Sequence, residues 1–228
     1  MPNWVQNIIH LEGNRNDIRK VLSLVKSDKS DFDFNLILPM PEELNISSSS
    51  INDKAIVCYA SHKACIPFDK VKEKYLAYVT NMFNPYYAED LYKGLKKMDD
   101  KEELERLYEL GKQCCNNIDK YGHVTWYSWR CDTWGTKWPA DGVYIDDNTI
   151  EFQTAWSCPV GILERFAEIC AECDVTFEGE YADEDRGYNT GEFNSETGIT
   201  PNEDASYEAI ETYNRCWGEM DYEDEEII

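Results

Sequence analysis

Apolar positions along the chain change rhythm several times, and each rhythm predicts an element. From Trp4 to Leu11, Val5, Ile9 and Leu11 fall on one face, and Ile8 breaks the simple alternation, as in a strand covered on both faces. Glu12-Gly13-Asn14 reads as a turn. Ile18, Val21, Leu22 and Val25 then recur at three- and four-residue spacing, which predicts a helix capped by Asn16 or Asp17 and running to Lys26. Phe32–Leu38 reads as a short extended run. It stops at Pro39-Met40-Pro41, where two prolines bias the backbone away from helix. The serines of Asn45–Asn52 mark a loop.

From Asp53 to Tyr121 the spacing is helical. Phe68, Val71, Tyr75, Tyr78, Val79 and Met82 form one apolar stripe, broken at Asn84-Pro85, and Tyr87–Lys97 predicts a second, shorter helix. Asp100 and Glu103 have the spacing of a capping box before a third helix with Leu104, Leu107, Tyr108, Gly111, Cys115 and Ile118 on one face, ending at Tyr121-Gly122. Strand patterns return at Gly142–Ile145 and Thr149–Ala155, joined by a turn at Asp146-Asp147-Asn148. Pro159 suits the first turn of a helix carrying Ile162, Leu163, Phe166, Ile169 and Cys170. Val175–Tyr181 reads as a strand, Gly187–Phe193 as its hairpin partner, and Asp204–Trp217 as a helix with Ala209, Ile210, Tyr213 and Trp217 on one side.

With the central helices set aside, the order is strand, helix, strand, strand, helix, strand, the split βαβ order of an α+β ferredoxin-like antiparallel sheet. The expected organisation is a ferredoxin-like domain from residues 1–52 and 121–194, a helical insertion at 53–120 and an acidic extension at 195–228.

Composition adds charge and compartment. The chain of 228 residues has 22 basic and 45 acidic side chains, a formal charge of −23 that disfavours phosphate backbones and anionic membranes. From Glu178 onward there are 17 acidic residues against Arg186 and Arg215, so most of the charge lies late in the chain, and Asp221–Glu226 reads as a disordered acidic end. No apolar run approaches the ~18 residues of a spanning helix. The start, Met1-Pro2-Asn3-Trp4, has neither the basic nor the apolar region of a signal peptide. Nine cysteines are therefore expected to stay reduced, in the cytoplasm.

Several short motifs recur together: Met1-Pro2-Asn3-Trp4 with Asn7, Pro39-Met40-Pro41, Tyr121-Gly122 with Trp126-Tyr127-Ser128-Trp129, Trp134-Gly135-Thr136-Lys137-Trp138, and Thr154-Ala155-Trp156-Ser157-Cys158-Pro159. As a set they resemble the YubB-like family of plasmid- and phage-encoded proteins, over roughly 1–41 and 121–194. The resemblance implies a ferredoxin-like domain and a mobile-element setting, and supplies no activity. The chain departs from the family at Ser128, where an acidic residue is common, and at Cys158, where proline is common.

The densest chemistry lies between His123 and Asp141. His123, Trp126, Arg130, Trp134, Lys137 and Trp138 together suit a ligand pocket in which indoles stack on a base and a cation meets phosphate. The alternative is that the tryptophans seat this segment against the sheet. Cys170-x-x-Cys173 sits at a helix end, where the dipole does not activate a thiol. A zinc site there would need two further ligands, and no second C-x-x-C or H-x-x-x-H is present; Cys58, His62 and Cys65, close in sequence, are the alternative metal ligands weighed. Neither a nucleophile elbow nor an EF-hand loop is present, so no catalytic residue, metal or cofactor is expected. The function expected is a non-enzymatic accessory protein of a phage or mobile element that binds a basic surface of a host protein, with anti-defence or nucleic-acid mimicry as its stronger form. Asp183, Glu184, Asp185, Tyr188, Glu192, Phe193, Asp221, Glu223 and Asp224 are the contacts expected, with Tyr181, Tyr188 and Phe193 supplying packed aromatic area. No direct nucleic-acid or membrane partner is expected. The alternative is a nucleotide-type ligand held by the 123–141 segment.

Overall fold

The computed structural model describes residues 3–62, 70 and 74–218. In chain order the elements are β1 (Trp4–Glu12), α1 (Arg15–Val25), α2 (Phe34–Ile37), α3 (Ser50–His62), α4 (Tyr87–Lys96), α5 (Lys101–Tyr121), α6 (Trp126–Thr133), β2 (Asp141–Asp146), β3 (Thr149–Ala155), α7 (Val160–Ala171), β4 (Thr176–Asp183), β5 (Thr190–Asn194), β6 (Gly198–Pro201) and α8 (Tyr207–Trp217). The chain divides into two compact units, Met1–Pro39 with Arg130–Ile228, and Met40–Trp129. The boundaries therefore fall at 39/40 and 129/130, earlier and later than the 52/53 and 120/121 read from the helical pattern.

In the first unit the strands are ordered β2-β3-β1-β4-β5-β6 and every pair is antiparallel. The first four, ordered 2-3-1-4, make a ferredoxin-like sheet, and β5 and β6 widen it. Alternation explains the core. Val5, Ile9 and Leu11 of β1, Ile150 and Phe152 of β3 and Phe177 of β4 are buried on one face, against Ile18, Val21 and Val25 of α1 and Ile162, Leu163 and Phe166 of α7. Phe32, Phe34, Phe152 and Phe166 meet at its centre, with ring centroids 5.1–5.9 Å apart.

Three local readings change. Asn14, not Asn16 or Asp17, caps α1, its side chain accepting from Asn16 N at 2.9 Å. Phe32–Leu38 is not extended: Asp33 caps the single helical turn α2, which buries Phe34 and Ile37, three residues apart on one face. The Phe-x-Phe alternation imitates a strand. Finally, the segment after 194 is not merely an extension. β6 pairs with β5, and Ser206 caps α8, which packs on β4, β5 and β1.

In the second unit α3 and α5 carry the core, with Ile56, Val57, Leu107, Cys114, Cys115 and Ile118 buried between them. They cross closely because position 111 is glycine: a Cβ there would sit 1.9 Å from Ala55 O. Asp100 caps α5 as read, accepting from Glu102 N and Glu103 N, and Gly122 closes it at φ 74°. α3 begins at Ser50, inside the segment read as a loop. The stripe from Phe68 does not continue as one helix. Phe68 and Val71 lie outside the described residues, and Tyr75 leads into a 3-10 turn, Leu76–Tyr78, beyond which Met82 is exposed.

The acidic residues divide unequally. The first unit holds 10 basic and 31 acidic side chains (net −21) and the second 12 and 14 (net −2).

Candidate functional site

The face of the sheet opposite the core carries part of this charge. Because side chains alternate, β1 presents Gln6, Ile8 and His10 there, β3 presents Thr149, Glu151 and Gln153, and β4 presents Glu178 and Glu180. Register then aligns residues from all six strands. Tyr144, Glu151, Ile8, Glu180, Glu192 and Thr200 form one row, and Asp146, Thr149, His10, Glu178 and Asn194 the next. Glu180 and Glu192 are directly opposed, an arrangement of like charges that costs stability unless it is compensated.

Compensation comes from α8. Arg215 Nε donates to Glu180 Oε2 at 2.5 Å, and its terminal nitrogen donates to Glu192 Oε1 at 3.4 Å and Thr212 Oγ1 at 3.2 Å. Burial lowers the Arg215 pKa, and the bond to Glu180 more than offsets this, so the net shift is upward and the guanidinium stays charged. Trp217 Nε1 donates to Ala182 O at 3.0 Å, which fixes the end of α8 to β4. Beside this contact is an open depression of about 560 Å³ lined by His10, Glu178, Glu180, Glu192, Thr200 and Arg215. Three carboxylates there face one guanidinium, so the site suits a cationic partner.

One end of this face is closed by aromatic and amide side chains. Trp4 and Trp138 pack with ring centroids 6.0 Å apart. Lys137 Nζ lies 4.6 Å from the Trp138 centroid and 4.7 Å from that of Trp156, one cation shared by two indoles. Nearby, buried Asp183 accepts from Asn3 Nδ2 at 3.3 Å, Asn189 Nδ2 at 3.1 Å and Asp185 N at 3.0 Å. Behind them Asn7 Nδ2 donates to Thr154 Oγ1, Thr154 Oγ1 to Ser157 O, and Ser157 Oγ to Gly135 O. The motif residues Asn7, Thr154, Ser157 and Gly135 are thus an internal hydrogen-bonded chain joining β1, β3 and the segment before β2.

The unit boundary at 129/130 runs through α6 and through the residues grouped from sequence as a ligand pocket, with Trp126 and Arg130 one turn apart on that helix. His123 and Trp126 belong to the second unit, with His123 Nδ1 3.3 Å from Ser128 Oγ and Trp126 edge-on to Tyr127. Arg130, Trp134, Lys137 and Trp138 belong to the first. Trp134 is wholly buried, its Nε1 donates to Leu38 O at 2.8 Å, and Arg130 lies over its ring at 4.7 Å. Lys137 lies over the Trp138 ring in the same way, at 4.6 Å, so each of these two indoles has one of the chain's own cations against it.

The expected partner contacts also sort themselves. Glu184, Asp185, Tyr188 and Glu192 are exposed, whereas Asp183, Tyr181 and Phe193 are buried, Phe193 edge-on against Phe177. The last three are structural because β4 and β5 alternate, and their odd positions face inward. Asp221, Glu223 and Asp224 lie outside the described residues. His10, Glu151, Glu178, Glu180 and Arg215, which stand on this face, were not among the residues named from sequence; for His10, Glu178 and Glu180 the even-numbered parity of β1 and β4 was the available signal.

Burial pushes the Cys114, Cys115 and Cys170 thiols up to about 12, so they remain protonated and unreactive. Among the described residues no three His, Cys, Asp or Glu side chains gather to hold a metal ion, and no helix is long and apolar enough to cross a membrane. Cys65, weighed as a ligand with Cys58 and His62, lies outside the described residues.

None of the curated proteins matches the chain. A crystal structure of a protein api92 from Yersinia pseudotuberculosis is similar over 91% of this chain and 100% of that chain, at 9% identity and a TM-score of 0.39. Residues 133–227, which run from the end of α6 through α8, match the family model described as the ferredoxin-like domain in Api92-like protein.

Proposed function

We propose that this chain is a non-enzymatic accessory protein of a phage or other mobile element that captures a basic surface of a host protein on its acidic sheet face. The setting rests on the YubB-like motifs. The binding rests on one observation: directly opposed Glu180 and Glu192 stand on the outer sheet face with Glu178 beside them, and Arg215 is the cation that the described residues pair with the opposed two. Three carboxylates set against this one guanidinium leave the depression net negative after the pairing is made. Their regular spacing along and across strands gives a cationic groove a repeated array of carboxylates, the form in which an acidic protein imitates a phosphate backbone. Long-range attraction then raises the association rate and makes affinity fall with salt.

The test is capture from a bacterial host lysate by wild type and by Glu151→Gln/Glu178→Gln/Glu192→Gln, compared across a NaCl gradient from about 0.05 to 0.5 M, over which the Debye length shrinks severalfold. Wild type is expected to retain a basic protein that salt releases and the triple variant does not hold. A partner held equally by the variant, or one that resists high salt, refutes the reading.

A further inference from the structure

On the other side of the sheet, α7 and the β5–β6 hairpin border an open groove of about 460 Å³. The sequence of α7 creates it. Val160, Glu164, Ala167 and Ala171 fall at i, i+4, i+7 and i+11, so one stripe faces the hairpin, and its last two members contribute only methyl groups. Across from them, Phe193 is held edge-on by Phe177, and Ile199 is half-buried on β6. The floor is therefore apolar. The ionisable residues lining the groove are Glu164, Glu168 and Glu196, all exposed and all acidic, and Glu168 already holds Arg165.

Shape and edge chemistry select the occupant. β6 ends the sheet, but it is only four residues long and finishes at Pro201, which has no N–H, so an added strand would gain little from it. A cavity of about 150 Å³ holds one benzene-sized group, so this groove has room for roughly two or three large side chains. A helix delivers such side chains to one groove at three- and four-residue spacing. We propose that this groove docks an amphipathic helix of a partner protein, seating apolar anchors over Ala167 and Ala171 with Lys or Arg beside Glu164 and Glu196. The site is separate from the sheet face and goes beyond the function proposed for it.

The probe is a capped, fluorescein-labelled peptide of about 18 residues, long enough to hold helix. It has Leu at i, i+4, i+7 and i+11 and Lys and Ala elsewhere, and it is titrated onto the full chain by anisotropy. Saturable binding is expected, weakened about tenfold or more when the same residues are scrambled and abolished when Lys is replaced by Glu. Ala167→Trp fills the groove and should weaken binding about tenfold. Glu164→Lys/Glu196→Lys, confined to exposed positions, should do so severalfold whether or not the tryptophan variant folds. Glu178→Gln/Glu192→Gln should leave peptide affinity unchanged. No binding by the designed peptide, equal affinity for the scrambled one, or loss through the sheet-face variant alone would overturn the assignment. The last outcome would support cation capture on the sheet face while removing the groove.

Discussion

Arg215→Met isolates the electrostatic problem of the sheet face. Methionine keeps most of the apolar stem that α8 lays on β4 and β5 and removes only the guanidinium. Glu180 and Glu192 are then left opposed, with Cβ atoms about 5 Å apart as in any directly opposite antiparallel pair, and that spacing sets the scale of their repulsion. Coulomb repulsion at that distance is about 0.8 kcal/mol in bulk water and about 3 kcal/mol at the effective dielectric near a protein surface. The Glu180 side chain is only 14% exposed, which favours the larger value, but Glu192 is 65% and Arg215 46% exposed, so solvent screening discounts it. Together with the lost hydrogen bonds, the expected destabilisation is about 1–2 kcal/mol, a fall in Tm of about 2–6 °C. Thermal melts by circular dichroism at about 0.05 and 0.5 M NaCl should show the gap from wild type narrowing as salt rises. Adding Glu192→Gln to Arg215→Met should restore most of the loss. The reasoning fails if Arg215→Met melts with wild type at low salt, or if the second substitution gives no rescue.

Three further outcomes follow from the packing. Gly111→Ala places a Cβ 1.9 Å from Ala55 O, and forcing α3 and α5 apart should cost about 3 kcal/mol, read as a lower denaturant midpoint. Trp134→Ala empties a wholly buried site and orphans the Leu38 carbonyl, with an expected loss of about 3–5 kcal/mol; Trp134→Phe should recover the part due to volume but not the hydrogen bond. Burial raises the Asp53 pKa, and the hydrogen bond from Tyr87 only partly opposes it. The folded state therefore disfavours the carboxylate, and the contribution of Asp53 is present below the unfolded carboxylate pKa of about 4 and lost as pH rises through its higher folded value. Urea unfolding from pH 4 to 7 should show Asp53→Asn gaining on wild type as pH rises, and a constant difference would contradict this.

What the sequence determined by itself was local. The strand patterns of β1, β3 and β4, three- and four-residue spacing in α1, α5 and α7, and the caps at Asp100 and Gly122 could be read because backbone geometry sets those periods within a few residues, although Ile8 hid the strict alternation of β1. The split βαβ order follows from these elements in sequence. Phe32–Leu38 misled for the same reason: one helical turn is too short for its period to be told from a strand, and the surrounding aromatic core decided its form. What only the tertiary structure decided was juxtaposition. Glu180 meets Glu192 through the register of β4 and β5, and Arg215 reaches both from a helix that follows them by more than twenty residues. Trp156 meets Lys137 because a buried hydrogen-bonded chain brings β3 beside the segment that precedes β2. The His123–Asp141 group could be named because its members are adjacent in sequence, but the partners of each were set by the fold: Trp134 donates to the Leu38 carbonyl, and Lys137 lies over the rings of Trp138 and Trp156. Charge could be counted from composition, but its direction could not, because which face a carboxylate occupies depends on strand parity and register, and these are set only when the sheet closes on its core.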